Sequence, residues 1–185
     1  MADQLSPKEQ LWLQKCIEAF RNNDFDSLFK AATELEAVSS DPSTALIYKG
    51  IALYHQKKFN DARKIFYSVY LKKMIKEKKQ DDNLLFYLAL CDLYMGKYQA
   101  AVDALSRLEE KDQGNIDYKI MLYLAFHLNG ESVRGNIVLA EALAVDSKKT
   151  GEELEEMLMK SLEHSQISPA TKILLVEMVR RLKSG

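Results

Sequence analysis

One spacing recurs along this 185-residue chain and limits what it can fold into. A small residue is followed nine positions later by an aromatic, three later by Leu or Ala, and four later again by a further apolar residue. The series reads Cys16, Phe25, Leu28, Ala32, then Gly50, Phe59, Ala62, Phe66, then Ala89, Tyr98, Ala101, Leu105. The aromatics stand 34 and then 39 residues apart. Such a period means one supersecondary unit repeated, each copy burying against its neighbour a face it cannot bury alone. A fourth segment keeps the period but not the residues: Tyr123 stands where a small residue is expected and Gly135 where alanine is.

Each unit reads as helical. Ser6-Pro7-Lys8-Glu9 is a capping box with proline in the first turn. Asn22-Asn23-Asp24, Asp41-Pro42 and Asp81-Asp82 mark further helix starts. Gln113-Gly114-Asn115 and Asn129-Gly130 are turns. Thr150-Gly151-Glu152-Glu153 predicts another capping box, and Ser168-Pro169 a last start, for about ten helices in all. Only 7 Gly and 3 Pro occur, far too few breakers for an all-β chain. The five extra residues of the longer spacing fall in 70–82, so the second helix of the second unit is expected to run past its usual end. That stretch carries Lys72, Lys73, Lys76, Lys78 and Lys79, a solvated end suited to the negative pole of a helix. Without interleaved arginine or aromatics it is no platform for stacking bases.

These motifs resemble the tetratricopeptide repeat, a 34-residue helix–turn–helix unit. Tyr94-Met95-Gly96-Lys97-Tyr98-Gln99-Ala100-Ala101 matches its turn and second-helix start; Lys57 departs from the Gly favoured at the place of Gly96, and Trp12 falls where the family favours Trp. The resemblance implies an all-α, right-handed superhelix of antiparallel helical hairpins in a single domain. Its repeats would be about 9–42, 43–81, 82–115 and 116–149, with a C-terminal capping helical pair over 150–185.

In that family the first helix of each hairpin lines the concave face. The register then places Leu13, Gln14, Ile17, Phe20 and Arg21 there from the first unit. The expected partner-binding strip is Ile47, Tyr48, Ile51, Tyr54, Phe86, Tyr87, Leu90, Tyr94, Met121 and His127. Chaperone adaptors of the family bind a C-terminal carboxylate through Lys, Asn and Arg; the corresponding places here hold Leu13, Ile17, Tyr48, Asn83 and Tyr87, so that clamp is absent. A strip of Tyr, Phe, Ile and Met suits a protein or peptide segment with apolar anchors. The face is either open to such a partner or closed, by the apolar run 173–179 or by a second copy in a homodimer.

The chemistry excludes more than it offers. Lys and Arg total 26 against 27 Asp and Glu, a net charge of −1, which argues for no nucleic-acid partner. The longest purely apolar run, Leu84–Cys91, is far short of the ~20 residues of a membrane span, so no membrane insertion is expected. His55, His127 and His164 form no metal-ligand spacing with Cys16 or Cys91, and no phosphate-binding or nucleophile motif occurs. The expectation is therefore no enzyme, no cofactor and no metal. The two cysteines read as small buried hydrophobes in a reducing, cytoplasmic compartment. The resemblance implies a protein–protein interaction module, a chaperone or adaptor similar in size and Tyr-rich face to small secretion chaperones. The alternative is a permanent scaffold subunit of a coat-like or secretion assembly.

Overall fold

The computed structural model describes residues 5–78 and 80–162, with Ile173 and Val176 as isolated positions. Among these residues the chain is all α, without strands: α1 (Pro7–Arg21), α2 (Phe25–Val38), α3 (Ser43–His55), α4 (Phe59–Glu77), α5 (Asp82–Tyr94), α6 (Tyr98–Lys111), α7 (Ile116–Leu128), α8 (Ser132–Val145) and α9 (Ser147–Leu162). The start expected at Ser168 lies outside the described residues, as does most of the expected capping pair. The chain divides into two compact units, Met1–Cys91 and Asp92–Gly185. In the first, α1 packs on α2, α2 on α3 and α3 on α4. In the second, α6 packs on α7, α7 on α8, and α9 on both α7 and α8.

Local chemistry sets the helix starts. Ser6 Oγ accepts from the Glu9 N–H at 3.3 Å, and the Glu9 carboxylate accepts from the Ser6 N–H at 2.8 Å. Asp24 caps α2 through the Ser27 N–H, and Asp81 caps α5 through the Leu84 N–H. Asp41 accepts from the Ser43 N–H at 3.0 Å, and α3 opens at Ser43, one residue past Pro42.

Four of the turns among the described residues share one geometry. Asn23, Lys57, Gly96 and Gly130 all adopt a left-handed conformation, with φ of 54°, 63°, 76° and 85°. In each, the next N–H donates back to a carbonyl five residues earlier: Asp24 to Ala19, Lys58 to Leu53, Lys97 to Asp92, Glu131 to Phe126. This closes off the end of the first helix and reverses the chain. The same polar link joins successive hairpins in each unit: the Gln56 amide donates to Asp26 at 2.7 Å, and the Asn129 amide to Gln99 at 2.9 Å.

Close packing follows the small residues. Gly50 and Ala62 are buried, and a Cβ on Gly50 would lie 2.6 Å from the Phe66 ring. Helix α4 is 19 residues long where α2, α6 and α8 are 14. Its added length is held by Lys72 to Asp41 at 2.9 Å and Lys73 to Asp81 at 2.7 Å.

One expectation is corrected. Thr150 opens no helix: α9 begins at Ser147, with the Asp146 carboxylate accepting from the Lys149 N–H at 2.9 Å. An aspartate one turn earlier caps the helix first. The Thr150 hydroxyl is buried and donates to the Ala142 and Asp146 carbonyls instead, satisfying the end of α8.

Candidate partner-binding site

In the first unit the aromatic residues of α1, α3 and α5 meet one another. Phe20 of α1 lies edge-on to Tyr48 of α3, with ring centroids 6.4 Å apart. Tyr54, two turns along α3, lies edge-on to Tyr87 of α5 at 5.8 Å and to Phe59 at 5.6 Å. Tyr87 in turn stacks on Phe66 at 4.9 Å. These contacts fix the rings in one orientation each, so they present surface at low entropic cost.

Exposure separates the expected strip into two kinds of residue. Ile47, Tyr48, Tyr54, Phe86, Tyr87, Met121 and His127 are half-buried, and Phe20 is exposed. Ile51, Leu90 and Tyr94 are buried and have little surface to offer. Burial raises the phenol pKa of Tyr48, with the Cys16 thiol beside it adding and Arg21 subtracting. Burial alone raises that of Tyr87. Both hydroxyls therefore stay neutral, as hydrogen-bonding groups at the edge of an apolar face.

The second unit arranges its residues differently. The His127 ring turns into its own hairpin, 4.6 Å from the Tyr123 ring and with Nε2 3.1 Å from Asn136 Oδ1 on α8. It fills the space that a side chain on Gly135 would occupy, since a Cβ there would stand 2.7 Å from His127 Cδ2. Tyr123 is fully buried, which pushes its phenol well above the ordinary range. Nothing in the sequence pointed to Lys119, which is buried between Glu109 of α6 and Glu141 of α8. Burial pulls its ammonium pKa down, but the two carboxylates outweigh this and the net shift is upward.

Two other features bear on ligands. An open cleft of about 320 Å³ on α1 and α2 is lined by Trp12, Lys15, Glu18, Asp24 and Lys30 among others. The Lys15 ammonium sits 4.0 Å over the Trp12 ring, so the apolar surface there is already covered. Among the described residues no group of three or more His, Cys, Asp and Glu could hold a metal ion. Nor is any described helix long and apolar enough to cross a membrane.

The chain has a tetratricopeptide-like fold of packed helical hairpins. Among solved structures it is similar to MamA, from residue 41 to its end, of Desulfovibrio magneticus RS-1. The TM-score is 0.71 at 16% identity, over 98% of each chain. It is similar too to MamA MSR-1, with a TM-score of 0.67 at 12% identity over 97% of this chain and 98% of that one. At these identities the likeness shows the fold alone. No family model and no curated protein matches the sequence.

Proposed function

We propose that the chain is a protein–protein interaction module of the tetratricopeptide type, without enzymatic activity or cofactor, working in the cytoplasm as a chaperone or adaptor. Its partner segment docks with apolar anchors on the first-helix face of the first unit, against Phe20, Ile47, Tyr48, Tyr54, Phe86 and Tyr87. The observation that carries this reading is the set of edge-to-edge ring pairs, exposed Phe20 of α1 on half-buried Tyr48 of α3 and half-buried Tyr54 of α3 on half-buried Tyr87 of α5, with surface left over. Side-chain chemistry supports an apolar rather than a carboxylate-terminal ligand, since of the clamp positions Leu13, Ile17, Tyr48, Asn83 and Tyr87 only Asn83 carries an amide and none is cationic. Cys16 and Cys91 are both buried among apolar residues, as small hydrophobes suited to a reducing compartment.

The test is affinity capture from the native host, followed by titration of the purified partner against variants. Tyr48→Ala and Phe86→Ala are expected to weaken binding by roughly tenfold or more each with helicity intact. Glu34→Ala, at an exposed position of α2, serves as the control. Normal binding by both aromatic variants would overturn the site.

A scaffold reading is favoured by exposed apolar side chains on second helices, Val133 and Ile137 one turn apart on α8. A permanent subunit would stay bound through high salt and aggregate when made alone, whereas an exchangeable module would stay monodisperse and release its partner on dilution.

A further inference from the structure

Helix α4 carries a feature that the aromatic face does not use. Tyr67, Leu71, Met74 and Ile75 are all exposed, Ile75 to 79%. Their spacing, i, i+4, i+7 and i+8, puts them on one side of the helix. Lys64 stands two turns before Leu71 on the same side, and Lys78, the left-handed C-cap residue, stands at the far end of the stripe seven residues after Leu71, so the two lysines are about 21 Å apart along the axis. Arg63 lies over the Tyr67 ring at 5.8 Å. The remaining lysines hold the helix in place: Lys72 and Lys76 reach Asp41, and Lys73 reaches Asp81. Beside the stripe the acidic residues are Glu77, the exposed last residue of α4, and Asp61, which meets Lys64 at 3.5 Å with both side chains largely in water. Such an exposed pair adds little and is readily exchanged.

We propose that this stripe of α4, bracketed by Lys64 and Lys78, docks an acidic amphipathic helix of a partner protein. The proposal is independent of the aromatic face of α1, α3 and α5. Helical spacing of the anchors matches a helix laid along a helix, with apolar positions three and four apart between two acidic residues about 14 positions apart. Charge selects among occupants. A second copy pairing through the same face would bring Lys64 and Lys78 against lysines of like sign. The chain's own residues 163–185 carry four basic residues (Lys172, Arg180, Arg181, Lys183) against Glu163 and Glu177, again the wrong sign. An acidic helix neutralises the brackets while covering the stripe.

The probe is a labelled synthetic helix of about 20 residues, with leucines at three- and four-residue spacing between two glutamates 14 apart, titrated by fluorescence anisotropy against the full chain. Saturable binding is expected. Leu71→Ser with Ile75→Ser, and separately Lys64→Glu with Lys78→Glu, should each weaken it about tenfold or more. Helicity should be unchanged by circular dichroism, because all four positions are exposed. A peptide with lysines in place of the two glutamates should restore binding to the charge-reversed chain. Tyr48→Ala should leave peptide binding unaltered, which separates this site from the aromatic face. The proposal is overturned if the parent chain shows no saturable binding, or if a scrambled peptide of equal composition binds as well. It is overturned too if the stripe variants bind like the parent. Co-sedimentation of the chain with phosphatidylserine vesicles through the same residues, with the peptide inert, would assign the stripe to a lipid surface instead.

Discussion

In hairpin α3/α4 the bulk sits on the second helix: Phe66 fills the space left by Gly50 on the first. In hairpin α7/α8 it sits on the first helix: the His127 ring, packed against Tyr123, fills the space left by Gly135 on the second. Both hairpins close with the same left-handed turn and the same backbone hydrogen bond, at Lys57 and at Gly130. What the two hairpins share is therefore the turn and a glycine faced by a ring from the other helix, not the residue at any one position. Close packing asks only that the sum fit.

Breaking the volume match should have the largest effect. Tyr123→Ala removes a fully buried ring and should destabilise the chain by roughly 3–5 kcal/mol in denaturant unfolding. In the other hairpin, Gly50→Leu drives a side chain into the Phe66 ring and should cost about 3 kcal/mol. Combining Gly50→Ala with Phe66→Leu should recover most of the loss of Gly50→Ala alone, a coupling readable in a double-mutant cycle. Additive effects in that cycle would refute the shared-volume account.

The hairpins should also differ in their response to pH. Lys119, held between Glu109 and Glu141 in the second unit, has a raised pKa in the folded chain. Its contribution is full below the unfolded value near 10.4 and is lost as pH rises through the higher folded value. The Tyr123 phenol is shifted in the same direction and loses its contribution the same way. The carboxylates tied to the α4 extension behave oppositely. Hydrogen bonds from Ser43 and Lys72 hold Asp41 low. Burial pushes Asp81 up, but Lys73 and the start of α5 bring it below the ordinary range. Their contributions are present above the unfolded value near 3.9 and fade as pH falls toward the folded one. Melting temperatures from pH 2 to 12 should thus fall at both ends (a span set by these reference values). Lys119→Met should flatten the alkaline fall and Asp41→Asn the acid one.

The turns offer the smallest and cleanest effects. Gly130 has open space around its missing Cβ, so Gly130→Ala tests backbone strain alone and should cost about 1 kcal/mol. Lys57 already bears that strain, and Lys57→Gly should raise stability by about 0.5–1 kcal/mol. Equal melting temperatures for parent and Lys57→Gly would mean that side-chain interactions of Lys57 offset the strained backbone.

Where local chemistry decides, the sequence is a good guide. The Ser6–Glu9 box, the aspartates at 24 and 81 and the turn at Asn129-Gly130 can be read because the groups that bond lie within a few residues. The helical-hairpin fold follows from these and from the spacing of small and aromatic residues. Thr150 misleads because Asp146, a stronger cap, stands one turn earlier. The strip on the first helices is legible as a register, but not as a surface. Ile51 and Leu90 share that register and yet are buried, and His127 turns toward α8 because Gly135 leaves room for its ring. Lys119 carries no local signal at all: its partners lie 10 residues before and 22 after it.

The burial of Lys119 also makes it a chemical clock. Its side chain is 4% exposed and its ammonium is held between two carboxylates, so acylating reagents that modify an ordinary surface lysine such as Lys76 reach it only when α6, α7 and α8 come apart. The interval between labelling of Lys76 and labelling of Lys119 in one sample therefore measures how often the second unit opens, with no mutation.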